Sequence, residues 1–355
     1  MELIIEAPTV VTMSRRGVVR EALVVIEGDR IIDVGPKREL KRKYHGGYDK
    51  LDATNCVVVP GLVNAHTHAA MTLLRGYADD LPLRQWLEEK IWPIEALMDQ
   101  ESIYVGALLA CVESALMGVT TINTMYHYKP DMNEARAIAE SGLRGFVGHV
   151  CFTWRKEEDL KATRDLVAKW HGAHGGRIRV TIDPHAPYTV DGEFFRELCQ
   201  LSIELSEKTG MPLPVHTHLA ETEDEAAKVR EAFNVDVDGG VVEYLDRLGV
   251  LGPWMVAAHC VWLSDRDVDL LVERGVKVVH CPVSNLKLGS GVAPVPKLLR
   301  RGAVVALGTD GACSNNSLDL LESVKLAALL HKGVHRDPTL VSAEEALRMA
   351  TVNGA

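Results

Sequence analysis

From about residue 57 onward, short β-rich runs alternate with helix-patterned segments, and this regularity constrains the fold more than any other feature of the chain. Eight runs are legible, at 57–65, 120–126, 144–151, 177–183, 212–219, 254–260, 276–281 and 303–309. Helical patterns such as 101–117, 192–209 and 317–332 lie between them, and Gly118, Gly210, Gly275 and Gly302 stand as helix-ending residues just before the next run. Strands separated by helices pair in parallel, and eight such units close into a (β/α)8 TIM-type barrel with its chemistry at the C-terminal ends of the strands. At 355 residues the chain exceeds the roughly 250 that such a barrel requires. The surplus lies at the front. Residues 1–59 read as β-rich runs with a hairpin turn at Glu27-Gly28-Asp29-Arg30 and a charged stretch at 37–50, which predicts a small N-terminal β-sandwich module ahead of a barrel over 60–355.

Hydrophobic residues make up 47% of the chain and charged residues 25%, the balance of a soluble protein with a large core. A net charge of −10 argues against a nucleic-acid partner, since phosphate backbones are bound by cationic surfaces. The apolar N-terminus carries Glu2 and Glu6 and places its arginines after the apolar stretch, opposite to a secretory signal. No run approaches the roughly 18 apolar residues of a spanning helix, so no membrane partner is expected. The seven cysteines form no CxxC pair, which suits reduced thiols and a cytoplasmic location.

Chemistry concentrates at four strand ends. His66 and His68 are two apart on the first predicted strand, so both imidazoles face one side and can reach one cation. His216 and His218 repeat the spacing on the fifth, and spacing alone does not say which of the two would bind metal. Glu221, three residues after His218, pairs with it as a ligand and acid/base couple; the competing role, negative charge at a helix N-terminus, could equally be filled by Glu223, Asp224 or Glu225. His259 ends the sixth strand, placed to orient a water or polarise the attacked group. Asp310 follows the eighth, as a metal ligand and proton acceptor or, alternatively, a helix cap. Imidazoles and a carboxylate from distant strands, leaving one position for water, describe a catalytic divalent-metal site. His280, inside a buried run, reads as structural, and His45, His171, His174, His331 and His335 as uninvolved.

The segments PGLVNAHTHAAMTLLRG, VHTHLAET, AAHC, SNLKLGSG and LGTDGACSNNS resemble the amidohydrolase superfamily, and within it the 5′-methylthioadenosine/S-adenosylhomocysteine deaminase branch with the related triazine hydrolases. The resemblance implies one divalent metal, usually zinc and iron in some relatives, held by His66, His68, His218 and Asp310. It assigns Glu221 as proton shuttle and His259 as the group that steadies the water or developing charge. It further implies that Glu95 holds the ribose hydroxyls, that His185 contacts the purine and that Arg155 faces the far substituent of the ribose. Two departures stand out. Where homocysteine-handling members carry a second arginine, this chain has His149, which tilts the substrate toward methylthioadenosine, adenosine or 5′-deoxyadenosine. The chain also ends before the strands that usually complete the N-terminal module, so a truncated chain or a differently completed module is expected. The activity so implied is hydrolytic deamination of an adenine nucleoside by a homo-oligomer. The alternatives are hydrolysis of another heteroaromatic substrate, of the triazine or guanine type, and a catalytically dead assembling barrel, against which the intact ligand set argues.

Overall fold

The computed structural model describes residues 2–355 and divides them into two compact units, one ending at Gly61 and one spanning Leu62–Ala355. The first unit holds strands β1 (Glu2–Val11), β2 (Val18–Glu27), β3 (Arg30–Pro36), β4 (Asp49–Asp52) and β5 (Val57–Val58) in one sheet of order β3-β2-β1-β4, with β5 also pairing β1. Glu27 opposes Arg30 across the β2–β3 hairpin, and Gly28 at φ +63° supplies the left-handed residue that such a turn requires. Alternation sorts the apolar residues to two faces. Ala7, Val10, Ala22 and Val24 pack on one, while Ile4, Leu23 and Val25 pack on the other with Leu40 of the helix Lys37–Lys43, which forms within the charged stretch.

The second unit is a parallel barrel of β6 (Leu62–Thr67), β7 (Val119–Tyr126), β8 (Arg144–Cys151), β9 (Ile178–Pro184), β10 (Val215–Leu219), β11 (Met255–His259), β12 (Lys277–His280) and β13 (Val305–Leu307), paired in chain order. The seam closes where the Asp310 amide donates to the His66 carbonyl at 3.0 Å. Asn64 and Thr309 reinforce it, the Asn64 amide group donating to Thr309 Oγ1 at 2.7 Å and accepting from the Thr309 amide at 3.0 Å. The run expected as one strand over 57–65 is two. Val57–Val58 pairs with β1, and the barrel strand begins only after Pro60-Gly61, because proline has no amide to give a ladder.

Residues of β12 and β13 alternate between two environments. Val279 and Ala306 pack with Ala65 and Cys281, whereas Val278, Val305 and Leu307 join the large layer formed with the helices. Among the described residues no helix is long and apolar enough to cross a membrane. The helix Gln100–Leu116, capped by Asp99 accepting from the Ser102 amide at 2.8 Å, presses close to the turn that follows His68. A Cβ on Gly106 would lie 2.2 Å from the carbonyl oxygen of Ala70. That oxygen is backbone and cannot swing away. Gly106→Ala is therefore expected to destabilise the protein by about 1–3 kcal/mol through overpacking, read as a lower urea midpoint at unchanged slope.

Candidate active site

The barrel mouth is built on backbone that side chains rarely adopt. Tyr126, Ala220, His259 and Asp310 have φ of +122°, +51°, +73° and +62°, all at or just past strand ends. Each such residue costs ~1–3 kcal/mol and persists only where the surroundings over-determine it. The left-handed turn at Asp310 coincides with the closing hydrogen bond to His66, so the seam brings a carboxylate beside two imidazoles. Asp310 Oδ1 lies 3.0 Å from His68 Nε2 and 3.4 Å from His66 Nε2.

His218 completes the cluster, its Nε2 3.4 Å from that of His68. The Nδ1 atoms of His218 and His68 face the backbone carbonyls of His185 and Met125, at 2.8 Å and 3.3 Å. A carbonyl can only accept, so each Nδ1 carries a proton and each Nε2 is the ring nitrogen turned to the centre. Burial keeps His218 well below its usual range, and so neutral. His66 is lowered by burial to about 4; its Nδ1 lies 2.9 Å from His216 Nε2, and its Nε2 has no hydrogen-bond partner. Burial alone would raise Asp310, but the contacts from His66 and His68 outweigh it and hold the carboxyl well below the carboxylate range. Three imidazole nitrogens and a carboxylate oxygen thus converge on one point. This is a His-rich metal site, and the donor atoms of His66, His68 and His218 all lie within 4.8 Å of one another, as do those of His66, His259 and Asp310.

Glu221, 4% exposed, and His259, 1% exposed, stand across the same small pocket, Glu221 Oε1 being 3.8 Å from His259 Nδ1. Burial raises the Glu221 carboxyl above its usual range. Burial would lower His259, but Glu221 and Asp310 outweigh it and raise it. Asn285 Oδ1 accepts from His259 Nδ1 at 2.8 Å, which turns Nε2 away from Asn285. His185 lines the pocket with both ring nitrogens engaged, by the Tyr126 hydroxyl at 2.7 Å and Thr189 Oγ1 at 2.8 Å. The pocket itself is only about 30 Å³, walled by Leu83, Trp86 and Leu87. Glu95 and Arg155 lie not here but in an adjoining cavity of about 410 Å³ that shares Tyr126 with it and is of ligand size. Every predicted site residue except His66, which is wholly buried, thus lines one of two neighbouring spaces.

Residues 57–355 match the profile of the amidohydrolase family. The chain belongs to the amidohydrolase family. It is 45% identical over 344 residues, 96% of its own length and 77% of the relative's, to the 5′-deoxyadenosine deaminase of Methanothermobacter thermautotrophicus. It is 42% identical over 356 residues, 99% of its length and 79% of the relative's, to the 5-methylthioadenosine/S-adenosylhomocysteine deaminase of Pelotomaculum thermopropionicum. Among solved structures, an adenosine deaminase from Xanthomonas campestris with bound zinc matches at TM-score 0.87 and 35% identity, over 100% of this chain and 79% of that one.

Contacts separate two sets of residues in this amidohydrolase that spacing alone left equivalent. His216 turns its Nε2 to His66 beneath the cluster, and His218 faces the cluster. Glu225, not Glu221, serves the helix entry, its carboxylate accepting from the Ala220 and Glu221 amides, both at 2.9 Å. Ser284 and Asn285, on a short helix just after β12, were carried in the sequence only by a resemblance motif; Ser284 Oγ donates to Asp310 Oδ2 at 2.6 Å. Burial raises Glu225 from 4.5 to about 7, against the two amides that favour its ionised form. The folded amidohydrolase therefore holds a proton there that the unfolded chain has lost, so this contribution is full below 4.5 and is lost as pH rises through about 7. Glu225→Gln is expected to destabilise the protein by about 1 kcal/mol and to flatten that part of the pH dependence, checked by urea denaturation of both proteins across the window.

Proposed function

We propose that this amidohydrolase hydrolytically deaminates an adenine nucleoside, giving the inosine analogue and ammonia. The observation that carries the reading is the pairing of a converged ligand set with a buried Glu221, whose carboxyl burial raises, one strand-end away, in a chain about 45% identical to a protein named a 5′-deoxyadenosine deaminase. His66, His68, His218 and Asp310 would hold the metal, for which zinc is proposed from the donor set and from the zinc-bound relative. When bound, the ion supplies Lewis-acid activation of water, lowering its pKa toward about 7.

The protein's own groups do the rest. Asp310, ionised and held in place by Ser284 Oγ at 2.6 Å and the Gly311 amide at 2.8 Å, accepts the proton of the attacking water. Glu221, raised by burial, gives its proton to the ring nitrogen beside the attacked carbon; the proton taken up by Asp310 then passes to the departing amine while the new hydroxyl returns its proton to Glu221, leaving the oxo product and ammonia. His259, turned by Asn285, orients the nucleophile. His185 would meet the purine, Glu95 the ribose hydroxyls and Arg155 the far end of the ribose. A small nucleoside, not a nucleic acid, is the partner in this reading, in keeping with the charge of −10.

The test is loss of adenine absorbance as hypoxanthine forms, with zinc-loaded protein and 5′-deoxyadenosine, 5′-methylthioadenosine, adenosine and S-adenosylhomocysteine. Turnover of at least one is expected, and turnover of none sinks the reading. Glu221→Gln should lower kcat by about 10²–10⁴-fold with metal content unchanged. His68→Ala should instead reduce bound metal below one ion per chain, measured by elemental analysis after dialysis.

A further inference from the structure

The cavity beside the metal pocket is where the part of a nucleoside beyond its base would lie, and Arg155 and His149 line it. Neither is free. Asp159, on the helix Lys156–Trp170 and wholly buried, accepts from Arg155 Nη2 at 2.9 Å, Arg155 Nε at 3.4 Å, His149 Nε2 at 3.0 Å and the Phe152 amide at 2.9 Å. The guanidinium also lies over the Phe152 ring, 5.1 Å from its centroid, so a two-point carboxylate contact and an aromatic face fix it together. Its charge is balanced from inside the protein.

Burial keeps His149 below its usual range. The neutral ring has one proton, which it gives to Asp159 from Nε2, and its Nδ1 is left buried with a lone pair and no partner. His149 is thus an acceptor, not a substitute cation. Of the other basic groups lining the cavity, His127 stands between Glu95 and Glu134, which raise it and pair with it, and Lys129 is exposed and screened by solvent. Trp92, Phe152 and Trp154 make the wall between them apolar. An entering carboxylate would give up its hydration and find no unbalanced positive charge, whereas a methyl or thioether group would meet aromatic faces.

We propose that Asp159 is the positioning residue that sets specificity at the far end of the ribose. By holding Arg155 and His149 in a closed neutral cluster, it admits adenine nucleosides with an uncharged 5′ group and disfavours those carrying an amino-acid carboxylate there. The proposal rests on the adenine-nucleoside reading above.

The zinc-loaded protein is assayed for kcat/KM with 5′-deoxyadenosine, 5′-methylthioadenosine, S-adenosylhomocysteine and 5′-propylthioadenosine, which keeps the thioether but lacks the charged end. The uncharged three are expected to exceed S-adenosylhomocysteine on the order of 100-fold. In Asp159→Asn, where Arg155 has lost its counter-charge, that ratio should contract by about tenfold or more. An equal fall for all substrates would make Asp159 merely structural and overturn the proposal. Should the variant not fold, 5′-propylthioadenosine against S-adenosylhomocysteine on the unaltered protein decides, and equal values overturn it. Deamination of all four at one rate removes this proposal while leaving the deaminase reading intact; deamination of none removes both.

Discussion

Lone pairs that face one another across about 3 Å repel unless a positive charge stands among them, and the mouth of this barrel is organised around that demand. Three imidazoles and an ionised carboxylate come from β6, β10 and the turn after β13, so the first and last strands of the barrel must meet before the cluster exists. The seam that joins them is correspondingly well tied, by the Asp310 amide on the His66 carbonyl and the paired Asn64 and Thr309. Outward from the cluster each ring is anchored at its other nitrogen, to His185, to Met125 or to His216, which fixes the orientation of all three and, through the two carbonyls, the tautomer of His218 and His68. Closure of the fold and assembly of the reactive centre are one event.

The adjoining cavity follows a different electrostatic logic. There, charges are cancelled where they arise. Glu95 Oε1 lies 2.5 Å from His127 Nε2, and Glu134, wholly buried, stands 4.0 Å behind His127 while accepting from the Ala70 amide and Thr124 Oγ1. Burial would lower His127, but Glu95 and Glu134 outweigh it and raise it, so the imidazole stands between two acidic side chains. Arg155 and Asp159 make a second internal pair on the opposite wall. The histidine-lined pocket gathers charged groups about one point and the adjoining cavity holds them in pairs, with Tyr126 as the wall they share.

How much of this could be read from the chain differs by kind of interaction. The eight barrel strands were legible because each is an apolar run ended by glycine-marked helices, and the clustered histidines and Asp310 because polar groups at the ends of such runs are conspicuous. The first run misled at its front, where Val57 and Val58 continue the apolar pattern but pair with β1 instead. Spacing could not separate His216 from His218, since both face the interior two residues apart and only the position of His66 distinguishes them. Nor could it assign Glu225 over Glu223 or Asp224, which depends on where the left-handed Ala220 turns its amide. His127, Asp159 and Glu134 left no signal. Each matters through a partner far along the chain or across a loop, and a charged residue in a polar segment looks the same whether solvated or buried.

The four mouth residues held at positive φ carry a consequence for how the molecule comes apart. Their conformations are maintained by the surrounding ladder and seam hydrogen bonds, not by their own preferences, so the first fluctuation that loosens the rim releases strain there while the apolar layer between strands and helices stays intact. The mouth is therefore the least cooperative part of the barrel, and on warming, the alignment of Asp310 and His259 is lost as a local event ahead of the body of the fold. Durability of activity and durability of structure are set by different bonds in this protein.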